Sequence, residues 1–140
     1  MLRISKVEAT LAGLAMMLAG SFSAEAYFAE TPTIKEIMGK LCKGPKSLTP
    51  TIAKELKAEN PDWTTLETQS KEFAVLAADL LKNTPAKGTD DSWKKLAGDY
   101  STQATSLEKA TAKKNKEAAL EAHGKLAASC KACHSQHKGK

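Results

Sequence analysis

The chain is short of arginine, aromatic rings and β-branched runs, and each shortage removes a class of function. Of 21 basic residues in 140, Arg3 is the only arginine, and aromatics make up 5%. Nucleic-acid surfaces concentrate positive charge in one stripe and interleave it with rings. Here the lysines are spread along every expected helix, as on solvated faces, so no nucleic-acid partner is expected. Strand alternation is absent, which excludes a β-rich fold. After residue 26 no second long apolar run follows, so no membrane-spanning segment is expected in the remainder. There is no phosphate loop and no Ser/His/Asp arrangement, and the carboxylates are dispersed over polar faces. No enzyme active site is expected.

What is present begins with the N-terminus. Arg3 and Lys6 precede an apolar stretch from Leu11 to Gly20, followed by small and polar residues ending in Ala24-Glu25-Ala26. That order is the pattern of a secretory signal peptide over residues 1–26, with an uncleaved N-terminal anchor as the other reading. The signal predicts a periplasmic or otherwise exported mature domain, residues 27–140. Arg3 and Lys6 offset Glu8 and Glu25, so cleavage leaves the net charge of +5 unchanged. A lysine-rich surface of this kind can steer a domain toward an acidic partner.

Ala, Leu, Lys and Glu dominate the mature chain, and its apolar residues recur at helical spacing in four segments. In the second, Trp63, Leu66, Ser70, Phe73, Ala77 and Leu80 form one stripe, with Asn60 expected as N-cap and Pro61 at the first helical position. The third begins near Asp90 or Asp91 as cap and places Trp93, Leu96, Ala97, Tyr100, Ala104 and Leu107 on one face. The fourth opens at Asn115 and runs through Leu120, His123, Ala127, Cys130 and His134. The first carries Ile34, Ile37, Met38 and Leu41, then Leu48, Ile52 and Leu56, but Lys43-Gly44-Pro45 and Thr49-Pro50 interrupt it. A helix over about 33–43 and a second one capped by Thr49 are expected. Short connections predict antiparallel neighbours.

Cysteine is scarce, and two of the three thiols fall in Cys130-Lys131-Ala132-Cys133-His134. C-x-x-C-H is the attachment sequence of a covalent c-type haem: two thiols add to the two vinyl groups and the adjacent imidazole becomes an iron ligand. On a helix, residues i, i+3 and i+4 share a face, so all three side chains can reach one macrocycle edge. A thioredoxin-like motif would need an α/β pattern that is missing. A zinc site would have to recruit Cys42, His123 or His137. A plain Cys130–Cys133 disulfide is the remaining alternative, in a haem-free bundle.

An exported helical domain with this motif at its extreme C-terminus resembles the class II c-type cytochromes, which include the cytochromes c prime. The resemblance covers residues 27–140 and is most specific at Ala127-Ala128-Ser129-Cys130-Lys131-Ala132-Cys133-His134; Asp91-Ser92-Trp93 is also similar to that family. It implies an all-α, antiparallel four-helix bundle with one covalent haem c near the C-terminal helix, held by Cys130 and Cys133, with His134 as proximal iron ligand. The Met-ligated branch places a methionine early in the first helix opposite that histidine. Met38, on the apolar face beside Ile34 and Leu41, is the candidate distal ligand, and core packing is its other role. A six-coordinate iron implies an electron carrier with acidic redox partners. The alternative is a five-coordinate protein that binds NO or CO at an open distal site. Relatives are often dimers, and monomer and homodimer are both open. Cys42, one turn beyond Met38, reads as a small buried side chain, with thiolate ligation and interchain pairing as alternatives. His123 either lines the haem pocket or is exposed, and His137 reads as exposed tail.

Overall fold

The computed structural model describes residues 30–139; the signal segment lies outside the described residues. Five helices and no strands occur among them: α1 Ile34–Cys42, α2 Leu48–Lys57, α3 Trp63–Leu80, α4 Asp90–Ala112 and α5 Lys116–His137. The fold is all-α. No helix among the described residues is long and apolar enough to cross a membrane.

Local chemistry sets each boundary. Thr33 and Glu36 form a capping box at the start of α1: the Thr33 Oγ1 accepts from the Glu36 N–H at 3.3 Å, and the Glu36 carboxylate accepts from the Thr33 N–H at 2.8 Å. The interruption expected after Lys43 is there, and Gly44 turns the chain with φ of +87°. The cap of α2 is Ser47, not Thr49, and the Ser47 hydroxyl donates to the Gly44 carbonyl at 2.7 Å. Pro50 therefore falls at the third helical position, where no intrahelical hydrogen bond is asked of its nitrogen. Asp62 replaces the expected Asn60 as cap of α3, because its carboxylate accepts from the Thr64 and Thr65 N–H groups, leaving Pro61 outside the helix. Thr89, not Asp90 or Asp91, caps α4, because its hydroxyl accepts from the Ser92 N–H; the two aspartates occupy the first turn instead, where the helix dipole favours negative charge. Asn115 caps α5 as the sequence predicts.

The three long helices pack as antiparallel neighbours. Ser70 of α3 meets Thr111 of α4 in a buried hydroxyl–hydroxyl hydrogen bond of 2.6 Å, and Phe73 lies 5.8 Å from Tyr100, ring to ring. Ser92 at the start of α4 reaches Gln136 at the end of α5. The short helices α1 and α2 both pack on α3, and α2 also packs on α5. Phe73, Ile37, Leu41, Ile52, Leu56, Leu66, Leu107 and Leu126 are fully buried, each contributing about 1.5–3 kcal/mol of transfer free energy. On α5 the buried stripe is Ala119, Ala122 and Leu126, while Leu120 is 39% exposed and Ala127 is on the surface. The expected stripe was one step out of register. Alanines flank α5 on several sides, so its apolar period fits two neighbouring faces equally well.

Candidate cofactor site

Past Leu126 the inner face of α5 is less tightly covered and opens on a cavity of about 720 Å³. That volume lies within the roughly 300–1,000 Å³ range of cofactor and ligand sites. Its walls are mainly α1 through Ile34, Met38 and Cys42, α4 through Trp93, Leu96 and Tyr100, and α5 through Cys130, Cys133 and His134, with Leu80 of α3 and Ala86 of the next loop completing them. The four side chains singled out in the sequence therefore converge on one space. Cys130 and Cys133 are half-buried and His134 is exposed at the mouth. Met38 is half-buried across the cavity, packed against the core cluster.

Helical spacing explains the convergence. Cys130 and Cys133 continue the stripe of Ala119, Ala122 and Leu126 at intervals of three and four residues, so they face inward where α1 and α4 part. His134 follows one step later and sits at the rim. Met38 and Cys42, four apart on α1, share the face that closes the other side.

Cys42 corrects its reading as a buried side chain. It is exposed at the end of α1 and lies against the Cys130 thiol. Hydrogen bonding from Cys42 holds the Cys130 thiol below the ordinary cysteine range, whereas the same contact and burial push Cys42 upward. Cys133 is raised by burial and by the neighbouring Cys130 charge. Cys130 is thereby the more nucleophilic of the motif's two thiols. Burial likewise holds the Tyr100 phenol neutral, with the three cysteines adding to the effect.

The other two histidines fall in places the sequence did not indicate. His123 donates from Nε2 to the Thr49 carbonyl at 2.9 Å and ties α5 to α2, away from the cavity. His137 is not exposed tail: it is 6% exposed, in the cavity wall, with its ring edge-on to Trp93. The signal available for His137 was its position, four residues after Cys133 on the inward stripe.

The site suits a haem better than a bare metal ion. Three thiols, two imidazoles and one thioether line the apolar space, and Cys130, Cys133, His134 and Met38 among them are donors of the kinds that hold a haem. Among the described residues no group of three or more His, Cys, Asp or Glu side chains is arranged to hold a metal ion directly. The Trp93 indole nitrogen, also in the wall, is buried with no hydrogen-bond partner, leaving one donor unused beside the space. Lys35, Lys43 and Lys138 stand around the same cavity against a single acidic residue, Asp99.

No protein-family model, curated protein or solved structure matches the chain.

Proposed function

We propose that the mature chain is an exported mono-haem c-type cytochrome that carries electrons. In this reading α1 and α2 form one interrupted arm, and α3, α4 and α5 the other three, of an antiparallel four-helix bundle. The observation that carries the reading is the convergence of Cys130, Cys133, His134 and Met38 on one apolar cavity. When bound, the haem supplies an iron centre that changes oxidation state.

The chain's own residues do the rest. Cys130 and Cys133 hold the group through thioether bonds, so it stays in place through many turnovers. His134 offers its imidazole nitrogen from the rim of α5. Met38 would offer a thioether sulfur from α1, a neutral ligand that favours the reduced metal and raises its potential. With His134 and Met38 both bound, no position would be open for a gas or a substrate. Ile34, Leu96 and Trp93 keep water from the centre, which limits rearrangement when charge changes. Lys35, Lys43 and Lys138 give the cavity mouth a positive rim, suited to brief encounters with an acidic redox partner.

The test is the visible spectrum of the reduced, exported protein before and after carbon monoxide. Sharp α and β bands unaffected by the gas are expected. A broad spectrum that shifts on its addition would instead mean a five-coordinate, NO- or CO-binding protein with Met38 as packing. Met38→Ala is expected to convert the first spectrum into the second.

A further inference from the structure

We propose that His137 is a positioning residue that locks the haem-ligating turn of α5, and that it is held away from the metal so that His134 alone ligates. The inference rests on the haem reading above for its functional half and on geometry for its structural half.

A terminal helical turn ordinarily frays, because its last carbonyls lack partners and little chain follows to bury it. Cys133 and His134 lie in such a turn, with α5 ending at His137. Here the end is pinned. The His137 Nδ1 lies 2.8 Å from the Lys87 carbonyl, and Nε2 lies 3.0 Å from the Ser92 hydroxyl. A carbonyl only accepts, so Nδ1 carries a proton and donates to Lys87. Nε2 rests against the Ser92 hydroxyl, which also bonds the Gln136 side chain, so both ring nitrogens are engaged by protein atoms.

The ring's seat is shaped for it. Gly88 has a φ of +90°, and a Cβ there would stand 2.4 Å from the His137 Nδ1. Only glycine satisfies both the turn and the approach. On the other side the Trp93 ring meets the imidazole edge-on at 5.3 Å between centroids. The corner from Lys87 to Trp93 thus grips the end of α5, and the grip is one turn from His134. A locked turn fixes where the His134 imidazole can point.

The test compares the holoprotein with His137→Phe, which keeps a ring in the seat and removes both hydrogen bonds. Amide hydrogen exchange over residues 134–138 is expected to accelerate by roughly tenfold or more, with residues 119–126 unchanged. The reduced spectrum of the same variant is expected to gain a high-spin fraction that binds carbon monoxide. Should His137→Phe not fold, Ser92→Ala removes the Nε2 contact together with the Ser92–Gln136 bond and is expected to speed the same amides by roughly threefold to tenfold, whereas Gln136→Ala, which removes only the latter bond, is expected to speed them less. Unchanged exchange overturns the lock. Faster exchange with an unaltered haem spectrum overturns the positioning role, leaving His137 purely structural. Faster exchange in a chain that never carries haem supports the lock and overturns the haem reading instead.

Discussion

The two halves of α5 have the same helical geometry and opposite surroundings. From Ala119 to Leu126 the inward face is small and fully packed, and α4 and α2 close over it. From Ser129 to His134 the inward face carries sulfur and imidazole, and α1 and α4 stand apart around a cavity. The first half spends its apolar residues on stability. The second half presents reactive groups where packing thins, and its end is pinned by His137 and Gln136 against the start of α4. One helix can therefore pack a core along its first half and wall a cavity along its second when its far end is anchored independently of the core.

That contrast can be broken from either side. The largest effect is expected from Cys130→Ser combined with Cys133→Ser, which should abolish covalent haem, read as loss of haem stain on the denatured chain. If instead the stain persists, another residue holds the group. In the core that α3 and α4 share, Phe73→Ala should cost about 3–5 kcal/mol, because a fully buried ring against Tyr100 leaves a cavity that neighbouring helices fill poorly. Its urea midpoint should fall accordingly; a loss under about 1 kcal/mol would mean that this core has room to collapse. Gly88→Ala should cost about 1–3 kcal/mol through positive φ and displacement of His137. Its signature is faster exchange at the end of α5 without change at Leu126. Ser70→Ala removes a buried hydrogen bond to Thr111 and should cost about 1 kcal/mol, measured the same way.

The smallest effect is a pH dependence that separates the two environments. Tyr100 sits in the cavity wall with its phenol held above the ordinary value of 10.0, mainly by burial. A raised folded-state value means that stability is fully present below pH 10 and falls as pH rises beyond it, because only the unfolded chain then releases the proton. Tyr100→Phe should flatten that alkaline decline while leaving neutral stability nearly unchanged. Equal slopes for the two proteins would show that the phenol is already ionised or solvated in the folded state.

Most of this organisation was legible in the chain itself. The stripes of α3 and α4, the break after Lys43 and the cap at Asn115 follow from spacing and from the chemistry of proline and amide side chains. So does the inward placement of Cys130 and Cys133, since residues three apart share a helix face. The caps at Ser47 and Asp62 were missed because a neighbouring proline was read as marking the first helical position, although it is tolerated throughout the first turn or just before it. The face of α5 was misjudged because alanine is nearly indifferent to burial and leaves the apolar period ambiguous. His137 and Cys42 were misplaced for a different reason. The partners of His137 lie in the loop before α4 and in its first turn, and the partner of Cys42 is Cys130 on α5, all more than forty residues away in sequence.

The most direct test of the account is the intact mass of the exported, purified and fully denatured protein. The predicted value is that of residues 27–140 plus one haem, with peptide mapping that locates the addition on Cys130 and Cys133. The mass of the unmodified polypeptide would contradict it.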